Sequence, residues 1–271
     1  MLASRTVVSC YCLLICLTCA PVSFAEQADE TISNDSPAEI RRRQDPSVDR
    51  NITFPSAETV PKGYFAINSY ELLGLGVSFG ITDNFQLSLS AVLPFLGVAA
   101  FGPSLKWCFL RSDRIIMSVQ GGAVLASASG GGGFNALGLG LYLDFVLDQG
   151  GTLVLSLSNI IYLQKYTGSC ANCTWEYAGY ATVPTASLTW KVRRNIKFLT
   201  EFLAFFPIAG FDAFDADYAG EKTVETFYYF NYGVRLFGKT VALDVTLLRE
   251  LFKEKKELVM GIPYVVFSVR F

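Results

Sequence analysis

Residues 136–147 read Ala136-Leu137-Gly138-Leu139-Gly140-Leu141-Tyr142-Leu143-Asp144-Phe145-Val146-Leu147. Leu137, Leu139, Leu141, Leu143, Phe145 and Leu147 fall on one side of a period-two pattern, and Ala136, Gly138, Gly140, Tyr142 and Asp144 on the other. Successive Cβ atoms of an extended chain point to opposite faces, so the stretch is a strand with one continuous apolar face and one small, polar face. Residues 73–81 repeat it, with Leu73, Leu75, Val77, Phe79 and Ile81 against Gly74, Gly76, Ser78 and Gly80. After Thr82-Asp83-Asn84 the alternation resumes from Phe85 to Leu93, which makes the two runs a hairpin. Comparable runs cover 104–110, 114–125, 152–163, 179–192, 196–206, 226–237, 240–248 and 262–271. With a less regular first strand at 63–70 the expected count is twelve.

The connections alternate in length. Short polar turns fall at 82–84, 111–113, 148–151, 193–195 and 238–239, and long segments at 94–102, 127–135, 164–178, 207–224 and 249–260. The first connection, around Glu71, breaks the alternation by being short. Short turns at one rim and long loops at the other are the pattern of a membrane-spanning up-and-down β-barrel, and an even strand number returns both termini to the short-turn rim.

Composition agrees: of 271 residues 51% are hydrophobic and 17% charged, against about 25% charged in a typical soluble domain. The polar face is built largely from Gly, Ser, Ala and Thr, too sparsely charged to solvate the outside of a soluble sandwich. Aromatic residues gather near strand ends, at Trp190, Phe205 and Phe206, and Phe227 to Phe230, where an interfacial girdle would lie. The net charge is −2 with no long Lys/Arg run, so nucleic acid is not an expected partner.

Residues 1–25 read as a secretory signal: Arg5, an apolar stretch from Val7 to Ala20, then Ser23-Phe24-Ala25 at the cleavage position, with the mature chain starting at Glu26. An anchor helix is a weaker reading, since the apolar run is short of the roughly 20 residues a spanning helix needs, and so is lipoprotein processing at Cys16 or Cys19, because the bulky Ile15 and the Thr18 before them fit that cleavage poorly. Residues 26–60 are rich in Asp, Glu, Ser, Pro and Arg and read as a flexible periplasmic leader. Arg41, Arg42, Arg43 and Arg50 make it locally basic, which suits a solvated tail; a contact inside the barrel mouth is the alternative. The barrel proper is expected over 61–271.

The stretch Phe54-Pro55-Ser56-Ala57-Glu58-Thr59-Val60-Pro61-Lys62-Gly63-Tyr64, with Tyr70-Glu71 and Gly80-Ile81-Thr82-Asp83-Asn84-Phe85, resembles the opening of a group of porin-like bacterial outer-membrane barrel proteins without an assigned activity. The match covers roughly 30 residues. It implies a fold and a location in the bacterial outer membrane, and no activity. The alternating end Val265, Phe267, Val269, Phe271 similarly resembles the C-terminal signal read by the barrel-assembly machinery, with Phe271 as the assembly residue. Membrane lipids and lipopolysaccharide are the other expected partners.

The chain has no histidine. Neither a Ser-His nor an Asp-His mechanism can operate without an imidazole base, so the sequence reads as a non-enzyme with no cofactor and no metal site. Cys170-Ala171-Asn172-Cys173 lies in an expected long loop and reads as a local disulfide, with Cys108 a small filler in a strand. Gly130 to Gly133 lacks the following Lys-Ser/Thr of a phosphate cradle and reads as a loop.

Opposite the apolar stripe lie Lys106, Tyr142, Asp144, Lys197, Glu201, Arg235, Asp244 and Arg270. A bare charge in lipid is costly, so these eight are expected to face the lumen, as a pore lining of mixed sign or as mutually satisfied interior pairs. Two functions follow as expectations: a narrow passive channel for small polar solutes, or a closed scaffold that displays its loops to partners. Replacing Gly140, a lumen position, with Ser is expected to cost much less than replacing the lipid-facing Leu141 with Arg.

Overall fold

The computed structural model describes residues 45–70, 74–92, 98–128, 133–148, 151–170, 173–209, 226–251 and 262–271, and of residues 98, 166–170, 173–177 and 209 the backbone only. The chain forms twelve strands: β1 (Phe65–Tyr70), β2 (Gly74–Gly80), β3 (Phe85–Val92), β4 (Val98–Arg111), β5 (Ile115–Ala128), β6 (Gly133–Val146), β7 (Leu153–Cys170), β8 (Cys173–Arg193), β9 (Ile196–Ala209), β10 (Phe227–Phe237), β11 (Val241–Leu251) and β12 (Ile262–Arg270). Each strand pairs antiparallel with its sequence neighbours, and β1 closes on β12 in the register Ala66↔Arg270 to Tyr70↔Val266. The ring therefore has no free edge.

The faces divide as the alternation requires. In β6, Leu137, Leu139 and Leu141 are 60%, 59% and 51% exposed while Tyr142 and Asp144 are 3% and 2% exposed. A water-soluble barrel would turn those leucines inward, so this exterior is that of a membrane-spanning barrel. Outward aromatics stack near the short-turn rim: Phe65 on Phe79 with centroids 4.4 Å apart, and Phe85 on Trp107 at 5.8 Å.

Three sequence expectations need correction. Residues 164–178 were expected to be a long loop, but the strands of β7 and β8 pair through Gln164↔Gly179 and on to Cys170↔Cys173, leaving only 171–172 between them. The reason is local: Tyr166, Thr167, Thr174, Trp175 and Tyr177 are residue types that favour extended backbone, which outweighs the polar character that suggested a loop. The Cys170 and Cys173 side chains, and with them the expected disulfide, lie outside the described residues. β4 likewise starts at Val98, six residues before the expected 104.

The third correction concerns residues 26–60. Residues 26–44 lie outside the described residues. Residues 45–60, expected to be flexible, are almost entirely buried, with Ser47, Ala57, Glu58 and Thr59 at 0% exposure. A segment too polar to build its own core is ordered here because the barrel wall supplies hydrogen-bond partners and counter-charges.

Candidate functional site

Residues 45–60 form a hairpin inside the barrel. Arg50 and Pro55 make an antiparallel bridge, the Asn51 N–H donates to the Phe54 carbonyl at 2.8 Å to close the tip, and the Ser56 N–H donates to the Asp49 carbonyl at 3.0 Å. Both limbs reach the short-turn rim. At one end the Asp45 carbonyl accepts from Arg270 at 3.1 Å. At the other, residues 60–61 cross the inner face of Gly80, where any Cβ would collide with the Val60 and Pro61 carbonyl oxygens. Glycine is required there because the two backbones approach too closely for a side chain.

The first limb meets β9 to β12 through charges. Arg50 donates to Asp244 Oδ2 and to Ser268 Oγ, each at 2.8 Å. Lys197 Nζ donates to Asp45 Oδ2 at 2.5 Å. Arg235 donates to both Asp244 oxygens at 2.7 and 2.9 Å, to the Asn51 carbonyl at 2.6 Å and to the Ser47 carbonyl at 3.0 Å. Burial would raise the Asp45 carboxyl, but the Lys197 ammonium and Arg235 guanidinium beside it hold it well below the usual carboxylate range.

The tip and second limb are held largely by their backbone. Glu201 accepts N–H groups from Ile52 and Thr53 at 3.1 and 3.2 Å. Lys106 Nζ donates to the carbonyls of Asp49, Ser56 and Glu58 at 2.9 to 3.2 Å. Asp144 Oδ2 accepts from the Ala57 N–H at 3.2 Å, and Gln86 Oε1 from the Val60 N–H at 2.8 Å. Ala57 also packs with Cys108, Ile116, Tyr142 and Ile160, with Phe54 and Tyr162 at the margin. Cys108, a thiol outside any disulfide, thus lies buried against the hairpin.

All eight side chains singled out on the polar face lie inside the barrel, none more than 6% exposed. Seven of them bond to residues 45–60 or to a partner of that segment; Tyr142 is the packing member. Its ring sits on Gly140, where a Cβ would meet the Tyr142 hydroxyl at 2.5 Å and Cε2 at 2.7 Å. A serine at Gly140 therefore has to displace the Tyr142 ring, so its cost is larger than the lumen position alone suggested.

Sequence reading missed Arg111. Strict alternation from Lys106 places it outside, but the β4–β5 register shifts between Cys108 and Leu110. That bulge leaves Phe109 and Leu110 both exposed and turns Arg111 inward, where it donates to Thr59 Oγ1 at 2.8 Å and pairs with Glu58 at 3.4 Å. No sequence signal marks the bulge. The hairpin did leave one signal: residues 45–60 carry Asp45, Asp49 and Glu58 against Arg50, a formal −2. The wall groups that face it, Lys106, Arg111, Lys197, Arg235 and Arg270 against Asp144, Glu201 and Asp244, carry a formal +2.

A cavity of about 20 Å³ lies between hairpin and wall, lined by Val48, Ser56, Asp144, Val154, Ser156 and Lys197 among other described residues. That is room for about one water. Beside the hairpin, this gap is too small for a solute.

No family model and no curated protein matches the sequence. Among solved structures the barrel is similar to the NanC porin, at 7% identity and TM-score 0.45 over 76% of this chain and 97% of that one. It is similar also to the KdgM porin in complex with disordered oligogalacturonate, at 11% identity and TM-score 0.45 over 77% and 96%. The translocator domain of the autotransporter NalP from Neisseria meningitidis aligns at 12% identity and TM-score 0.43 over 77% and 85%.

Proposed function

We propose that this protein is a bacterial outer-membrane channel for small polar solutes, held shut by residues 45–60 in the state described. The apolar exterior and the aromatic C-terminal strand support the location, with Phe271 as the residue the assembly machinery reads and lipid and lipopolysaccharide outside.

The observation that carries the channel reading is the ionic contact between hairpin and wall. Replacing a buried ion pair by well-packed apolar residues is often neutral or stabilising, so a permanent seal has little use for eight charged wall groups. A wall that becomes wet when the hairpin withdraws does need them, since water then replaces the lost partners. Both limbs end at the short-turn, periplasmic rim, so the segment can leave the lumen without threading the barrel.

The test is conductance of the purified, folded chain in planar bilayers. The unsubstituted protein should show rare openings, and Arg50→Ala frequent discrete ones. Silence from Arg50→Ala, with the barrel folded, removes the channel reading. A closed scaffold is the second reading, favoured by the β7–β8 hairpin: these strands, at 18 and 21 residues, are the longest described and present a ready surface for a partner.

A further inference from the structure

Resting on the channel reading, we infer that Lys197, Arg235 and Arg270 form a carboxylate-binding site for the solute, and that Asp45 occupies this site as an internal stand-in while the barrel is shut. The Asp45 Oδ2 atom lies 2.5 Å from Lys197 Nζ and 3.3 Å from an Arg235 nitrogen, and Arg270 bonds the carbonyl of the same residue. The three wall cations are 6%, 2% and 6% exposed.

The site is built from the wall. Lys197 Nζ sits 5.0 Å from the centroid of the Phe237 ring, and the Arg270 guanidinium 5.6 Å from that of Tyr64. Arg235 is held on its other side by Asp244, which fixes its planar fork. When the hairpin withdraws it takes Asp45 and Arg50 together. Asp244 keeps Arg235 as its partner, and Lys197, Arg235 and Arg270 together with Asp244 carry a formal +2 among the described residues. A group that replaces Asp45 must be anionic, small enough to stand beside Arg235 and able to accept from several donors at once. A carboxylate on a polar solute meets all three conditions. A tethered competitor acts at high effective concentration, so the solute competes poorly until Asp45 is removed.

The test uses the full chain in detergent, with gluconate as the probe and sorbitol as its uncharged counterpart, read by titration calorimetry at low chloride. Asp45→Asn should bind gluconate at least about tenfold more tightly than the unsubstituted chain, because the internal competitor is gone. Sorbitol should bind neither protein. Adding Lys197→Met to Asp45→Asn should abolish the gain, and adding Arg270→Gln instead should reduce it; heat-modifiable gel migration identifies which variants are folded. No gain for gluconate in Asp45→Asn, or an equal gain for sorbitol, overturns the site. In bilayers under a potassium chloride gradient, an anion-preferring reversal potential for Asp45→Asn supports the proposal and a cation-preferring one overturns it. Gluconate binding in a protein that never conducts supports the site and overturns the channel reading.

Discussion

Replacing Arg50 with Ala should loosen the hairpin without unfolding the barrel. Arg50 is 6% exposed and loses two charge-assisted bonds at 2.8 Å, to Asp244 and Ser268. Breaking a buried ion pair costs most when it strands the opposite charge, but Asp244 keeps both bonds to Arg235. The appropriate figure is therefore that of a hydrogen bond to a charged group, about 1.5 to 3 kcal/mol each and about 3 to 6 kcal/mol for the two. At 1.4 kcal/mol per factor of ten, the population with the hairpin withdrawn rises about 150-fold or more. Cys108 reports this directly, because its thiol is 1% exposed and packed on Ala57 of the hairpin. Where closing is fast relative to modification, alkylation tracks the open population. Peptide mass mapping after maleimide treatment of folded protein in detergent should show the Cys108 rate rise by that factor. An unchanged rate, or one that rises only as heat-modifiable migration is lost, would mean that the ion pair does not hold the segment in place.

Two further outcomes follow from the faces and the charges. Leu141→Arg places a cation on the lipid side near the middle of β6 and should cost about 2 to 4 kcal/mol of barrel stability in a bilayer, measured by urea titration in liposomes; Gly140→Ser should cost about 1 to 3 kcal/mol by a different route, overpacking against Tyr142. A Gly140→Ser barrel as stable as the parent would show that the Tyr142 ring yields freely. The lowered Asp45 carboxyl stabilises the closed state fully above the ordinary aspartate value of about 3.9 and loses that contribution only as the pH falls through the lower folded value. Asp45→Asn should accordingly stay more open than the parent in bilayers by a constant factor from about pH 7 to about pH 4.5, and a difference that vanishes by about pH 5 contradicts the charge pairing at Lys197 and Arg235.

The strands, their number and the direction of each face were legible in the sequence because period two is a local property. Leu137 to Phe145 need no partner to declare an apolar side, and the absence of charge on that side made lipid its expected neighbour. The same alternation found Lys106, Lys197, Glu201 and Arg235 on the inner face. What those groups bond to was not legible. The partners of Arg235 and Lys197 include residues more than 140 positions away in sequence, Asp45 and Ser47, and no local pattern encodes such pairings. Arg111 was hidden because one extra residue at the Cys108–Leu110 bulge reverses the alternation, and the fit of Tyr142 over Gly140 depends on side-chain placement that spacing does not specify. Residues 45–60 mark the limit most clearly. Their composition says that they cannot build a core of their own, and in the barrel they are buried within a closed ring of twelve strands that gathers five cations and three carboxylates around them; only closure of the barrel brings those charges together.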